Sequence, residues 1–314
     1  MVIFILIYPL CSDAQDFSKI DSFARSVELN RMTLPQLTDS LTKPYHTDLE
    51  KVRSIFVWIA HNIAYDYQKS SIQEADSLAY LSNPLFDDKL LIKTILERRK
   101  GICYDYSFLF RAMCSLAGIE SKMIKGFAKT SYKEIGVTLT KTNHAWNAVL
   151  IEGKWQLLDI TWASERRYDE HTVEKLDEGY FLTPPSKLIL DHWPEDENWQ
   201  LLDKKVDRQK FFHFPHINSN YMKYNVQGFS PGNGLIPANG QEALISIKIA
   251  KTEREVRLVE GDQVLSEFIP AYENGSYKFQ YSVSEETEGD QVSIAIQNAD
   301  GSFDVILTYK LVDE

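Results

Sequence analysis

The spacing of apolar residues changes once along this chain, and that change limits the fold more than any single motif. Up to about residue 118 apolar side chains recur at helical intervals. Val52, Ile55, Phe56, Ile59 and Ile63 form one stripe behind the capping box Thr47-x-x-Glu50. A second helix is predicted over Asp88–Arg98. A third begins near Cys103, with Leu109, Phe110, Met113, Leu116 and Ala117 on its apolar side and Gly118 as its stop. Beyond it the runs shorten. Lys122–Lys129, Ala145–Ile151 and Trp155–Thr161 read as strands. After residue 234 come further runs with period-two character: Ala243–Ile249, Arg254–Glu260, Val264–Ile269, Ser276–Val283, Gln291–Gln297 and Phe303–Leu311. Asn-Gly, Glu-Gly and Asp-Gly pairs punctuate this last set, as in a small all-β sandwich of Ig-like type. The expected fold class is therefore α+β, a mixed region followed by a β region.

The N-terminus carries nine apolar positions, Val2 to Leu10, followed by Cys11 and small or polar residues. Nine is well short of the roughly 20 residues that span a bilayer. It matches the apolar stretch of a signal peptide cut around Ala14 or Gln15, although no Lys or Arg precedes it. The other reading is an apolar strand tucked into the core. Residues 1–15 are thus expected to be a signal peptide and the chain to be secreted, periplasmic or on the cell surface, touching membrane only if the leader stays. The formal charge of -11, from 34 basic and 45 acidic side chains, argues against nucleic acid as partner. Three cysteines, Cys11, Cys103 and Cys114, are too few for a disulfide scaffold.

Gly101-Ile102-Cys103 sets a cysteine at the first turn of a helix, where the macrodipole and unpaired N–H groups favour thiolate. Arg98, Arg99 and Lys100 push the same way and Asp105 pushes back. The residue reads equally well as a small buried hydrophobe. Cys114 falls inside the apolar stripe and reads as core. A thiol nucleophile needs a base and a group to orient that base. His144 opens one strand, Asp159 ends the next, and Glu152-Gly153 is the turn between them. With Ile151 opposite Lys154, Trp146 faces Asp159 and His144 faces Thr161, so His144 and Asp159 become diagonal neighbours on one face. Any even loop keeps that parity; an odd loop without a bulge separates them. A lone strand histidine is usually only a satisfied polar group, but cysteine, histidine and aspartate in this order are the parts of a thiol hydrolase or acyltransferase.

Several stretches together resemble the transglutaminase-like superfamily, and its kyphoscoliosis-peptidase-like branch in particular. They are Arg99–Tyr106 with Leu109-Phe110, Cys114-x-x-Ala117-Gly118-Ile119, His144-Ala145-Trp146-Asn147 and Trp155-x-x-x-Asp159-x-Thr161-Trp162. Phe56–Asp66, Tyr180–Pro185, His192-Trp193-Pro194 and Trp199–Leu202 add to the likeness, which runs from Tyr45 to Leu202. The resemblance implies a papain-like α+β core with Cys103 as nucleophile, His144 as base and Asp159 as orienter. It also suggests Tyr65 as a second oxyanion donor beside the Cys103 N–H, against an ordinary core aromatic. Trp146 and Trp162 would wall the site, core packing being the rival reading for at least one of them.

The expected organisation is a signal peptide over 1–15, a transglutaminase-like thiol-enzyme domain over 16–203, a strap over 204–234 and a β-sandwich over 235–314. Phe212-His213-Phe214-Pro215-His216 reads as the aromatic part of that strap. Its His-x-x-His spacing has no third ligand at a supporting interval, so no metal is expected there. No cofactor is expected, and no acidic run resembles a calcium loop. The expected activity is cleavage or transfer of an amide bond in a protein or peptide through a thioester on Cys103. The alternative is a catalytically idle surface protein whose domains, the β region above all, bind a protein or glycan.

Overall fold

A computed structural model describes residues 16–70, 88–164 and 175–313, apart from 239, 241, 262 and 284–288. The expected leader lies outside the described residues. Among them no helix is long and apolar enough to cross a membrane.

The first part is helical: α1 (Ser18–Ser26), α2 (Leu34–Thr42) and α3 (Asp48–Asn62). The capping box of α3 forms as read, with Thr47 Oγ1 accepting the Glu50 N–H at 3.3 Å and Glu50 Oε2 accepting the Thr47 N–H at 3.1 Å. Its stripe from Val52 to Ile63 is buried. A short strand β1 (Ala64–Tyr65) leaves α3. After α4 (Asp88–Arg98) it pairs in parallel with β2 (Lys100–Gly101), the lead-in to α5 (Cys103–Leu116). Gly118 ends this helical segment at φ +75°. Leu116, expected on the apolar side, is 49% exposed. The last turn of α5 runs past the core and faces a groove shared with Leu34, Pro35, Ile92 and Leu96.

Next comes an antiparallel sheet with strand order β5-β4-β3-β6: β3 (Ser121–Ala128), β4 (His144–Ile151), β5 (Lys154–Leu158) and β6 (His192–Pro194). The β4–β5 hairpin has the expected parity, with Ile151 opposite Lys154 and Asn147 opposite Leu158. Glu152 and Gly153 turn it at φ 50° and 75°. The strand expected to run to Thr161 stops at Leu158. Asp159 instead caps a short helix, α6 (Ile160–Ala163), its Oδ1 accepting the Trp162 N–H at 3.1 Å. Helix α5 packs on this sheet. Phe108, Leu109 and Met113 share one cluster with Trp146, Ala148 and Val149, and Asn147 Nδ2 donates to the Ser107 carbonyl at 3.0 Å.

The C-terminal region is rich in antiparallel sheet. A four-stranded sheet runs in the order Ala271–Glu273, Ser276–Ser282, Glu242–Lys248, Gly228–Ser230. A six-stranded one contains Val256–Glu260, Gln291–Gln297 and Phe303–Val312. Residues of both sheets, among them Ile245, Phe279, Leu258, Ile294 and Leu307, fill one cluster. The run Val264–Ile269 is not a strand beyond Gln263–Val264. The chain turns there, Phe268 N–H donating to the Leu265 carbonyl, and leaves Ile269 77% exposed. Within 204–234, read as a strap, His216–Ile217 and Gly228–Ser230 join these sheets.

The aromatic part of the strap forms a third cluster. Phe211, Phe212 and Phe214 pack on Phe127, Ile189 and Trp193. Lys129 reaches into it fully buried, its Nζ donating to the carbonyls of Phe211 at 2.9 Å and Phe214 at 3.0 Å. Burial pushes that amine down to about 7.

Candidate active site

Cys103 is the first residue of α5, half-buried and not in a disulfide. The first N–H groups of a helix have no partner inside it, so this end offers donors and positive potential to an anion. The basic trio upstream is largely engaged elsewhere. Arg98 pairs with Asp66 at 3.2 Å, and Arg99 donates to Asn62 Oδ1 at 3.0 Å while lying over the Trp58 ring. Asp105, expected to oppose a thiolate, is itself compensated. Its Oδ2 accepts the Ile102 N–H at 2.9 Å and the Lys69 ammonium at 2.6 Å. Gly101 leaves room for this: a Cβ there would stand 2.7 Å from the Asp105 Cβ.

His144 begins β4 and Asp159 follows β5, as the hairpin parity requires. His144 Nε2 lies 2.5 Å from Asp159 Oδ2. The Cys103 sulfur lies near enough to the same imidazole to raise its pKa, and with Nε2 engaged the nitrogen facing away from Asp159 is Nδ1. The structure therefore pairs His144 with Asp159 and sets Cys103 near the same imidazole. Burial alone would lower the His144 pKa, but the Asp159 and Cys103 charges outweigh it and raise it to about 10. Burial would raise Asp159, yet the two imidazoles beside it hold its carboxyl well below the usual range. Cys114 is the opposite case, a fully buried thiol pushed far up by desolvation.

Asp159 has a second imidazole on the same oxygen, His192 Nε2 at 3.0 Å. His192 Nδ1 lies 2.6 Å from Asp191 Oδ1, and Asp191 Oδ2 accepts the Tyr180 hydroxyl at 3.1 Å. Neither His192 nor Asp191 was named as a site residue from sequence. Their only signal was the His192-Trp193-Pro194 stretch of the resemblance. Trp162 packs on both imidazoles, 4.4 Å from His192 and 5.5 Å from His144 between ring centroids. Trp146 stacks beside His144 at 6.1 Å, but it is buried in the helix–sheet core. Tyr65 lies opposite Gly101 on the β1–β2 pair, close in backbone terms to Cys103, and its hydroxyl meets Ser70 Oγ at 3.2 Å.

His144, Asp159 and His192 bring three potential ligand atoms within 4.8 Å of one another. The 2.5 Å His144–Asp159 separation does not suit a shared ion. With metal–ligand bonds of about 2.0–2.2 Å it would close the angle at the metal to about 75°, far from tetrahedral. The closeness is that of hydrogen bonds.

Residues 35–160 match the family described as the transglutaminase-like superfamily. Kyphoscoliosis peptidase of Homo sapiens is 33% identical over 240 residues, covering 75% of this chain and 34% of its own. Hillarin of Drosophila melanogaster is 26% identical over 261 residues, 77% of this chain and 30% of its own. The Lim and transglutaminase domain protein ltd-1 of Caenorhabditis elegans is 25% identical over 241 residues, 69% of this chain and 31% of its own. The chain spans about a third of the length of these curated relatives. A helix-borne cysteine beside a hairpin His–Asp pair thus lies in a region whose sequence has known kin: the chain belongs to the transglutaminase-like superfamily.

Proposed function

We propose that this chain is a thiol enzyme that cleaves or transfers amide bonds of a protein or peptide, with Cys103 as nucleophile, His144 as base and Asp159 as its orienter. The observation that carries the reading is the imidazole of His144, held by Asp159 at 2.5 Å, with the Cys103 sulfur near enough to raise its pKa. A relative named as a peptidase supports the substrate class.

The thiolate of Cys103 attacks the amide carbonyl, forming a C–S bond and placing the negative charge on oxygen. The N–H of Cys103 at the start of α5 is the first donor for that oxyanion. Tyr65 is the second donor of this reading, and Tyr65→Phe tests it. The C–N bond then breaks as His144 passes its proton to the leaving nitrogen, giving an amine and a thioester. Water, losing a proton to His144, attacks the thioester and releases the acid and the thiol. An amine doing the same gives transfer. Trp162, half-buried over both imidazoles, limits water around them.

The test is alkylation by iodoacetamide near neutral pH with peptide mapping. Fast modification of Cys103 but not Cys114, lost in His144→Ala, is the expected result. Equal, slow modification of both thiols would overturn the enzyme reading in favour of a binding protein. Release of ammonia or amine from a glutamine-containing peptide, with and without a lysine-like acceptor, then separates hydrolysis from transfer.

A further inference from the structure

We propose that His192 is a positioning residue of this site: an imidazolium held between Asp159 and Asp191 that keeps the Asp159 carboxylate charged and aimed at His144. Both ring nitrogens of His192 face a carboxylate oxygen, Nδ1 at 2.6 Å from Asp191 and Nε2 at 3.0 Å from Asp159. A neutral imidazole has one N–H, so one nitrogen would turn a lone pair toward carboxylate lone pairs. Protonating either acid would relieve this, but each already accepts a hydrogen bond that favours its ionised form. Asp191 takes the Tyr180 hydroxyl at 3.1 Å and Asp159 takes the Trp162 N–H at 3.1 Å. Two donors on His192 satisfy every partner at once.

Charge balance leads to the same assignment. Asp159, Asp191 and His192 are all at most 1% exposed. Two buried carboxylates this close need compensation, and His144 cannot supply all of it while it serves the thiol. The strong pull of Asp191 and Asp159 outweighs the opposing effect of burial on His192. Packing holds the ring in place: Trp162 lies 4.4 Å from it and Trp146 5.1 Å, both edge-on. His192 is a residue of β6, where it pairs with Ala128, so its backbone is fixed too.

The consequence for the thiol rests on the enzyme reading above; the charge on His192 does not. His192 and His144 share one carboxylate oxygen and their rings lie 5.2 Å apart. Removing the cation withdraws positive potential from the cluster that stabilises the Cys103 thiolate, so the thiol should ionise at higher pH.

Two measurements on the full chain test this. In the unaltered protein labelled with nitrogen-15 histidine, the His192 ring should keep both nitrogens protonated at pH 7. A neutral, single-tautomer signal at pH 7 would overturn the assignment. In parallel, the rate of Cys103 alkylation is followed against pH in His192→Gln and Asp191→Asn. The expected result is a loss of about tenfold at pH 7, well short of the ~10⁴-fold cost of disabling a direct orienter, with the inflection moved to higher pH. A purely structural role would lower the rate with the folded fraction and leave the inflection in place, which overturns the proposal. If Cys103 of the unaltered protein is no faster than Cys114, the enzyme reading fails by itself, and the histidine spectrum still decides the charge on His192.

Discussion

Asp159 Oδ2 serves two imidazoles, at 2.5 and 3.0 Å, and the electrostatics of the site follow from that sharing. His144 is raised to about 10 from an ordinary 6.5, so its pairing stabilises the fold fully below about pH 6.5 and is lost as pH rises through about 10. Asp159 is depressed below 3.8, so its contribution holds above that value and is lost as pH falls through the depressed one. Asp159→Asn should therefore bring the His144 titration down toward 6.5, read by NMR, and flatten the stability profile at both limbs, read by denaturant midpoints against pH. At this scale the sequence disclosed the contact of His144 with Asp159 because a tight hairpin turns spacing into facing. It did not disclose His192, 33 residues beyond Asp159, because parity says nothing across a connection that long. The compensation of Asp105 by Lys69, 36 residues apart, was hidden for the same reason.

Strand β3 shows how tightly the elements around the site are fitted. Gly126 lies opposite both His144 and Pro194, and a Cβ there would stand 2.3 Å from the Trp193 carbonyl and 2.5 Å from Trp146 Cη2. Gly126→Ala should cost about 1–3 kcal/mol by overpacking, measured by denaturation, and slow Cys103 alkylation through the displaced Trp146. Lys129, just past the end of β3, gives a second test. Its amine is pushed down to about 7 from 10.5, so the unfolded chain binds more protons than the folded one between those values and stability rises with pH there. That slope opposes the His144 slope in an overlapping window. Lys129→Met should make the alkaline loss of stability steeper, besides removing the donor that Lys129 gives the Phe214 carbonyl. Long elements such as Asp88–Arg98 and Gln291–Gln297 were legible to the residue. Those of two or three residues, such as His216–Ile217 and Gly228–Ser230, were not, because so few positions show no period.

At the scale of the whole chain, the strap and the site lie on opposite sides of one short strand. Along β6 successive side chains alternate: His192 turns to Asp159, while Trp193 joins the strap cluster and donates its indole N–H to the Val206 carbonyl at 3.0 Å. Phe212, fully buried against Phe127 at 5.7 Å, anchors the other side of that cluster. Phe212→Ala should cost about 3–5 kcal/mol. It should also shift the pH profile of Cys103 alkylation, although Phe212 belongs to the strap cluster and not to the site. The order of the two regions was readable from the change in period; their coupling was not, because aromatic residues without a period announce burial but not against what. The alternation along β6 also fixes the arithmetic of the connection. One residue inserted between Asp191 and His192 would exchange the two faces, setting an indole among carboxylates and an imidazole in hydrocarbon. Two inserted residues would restore the facing, so length changes at this junction are expected to survive only in even steps.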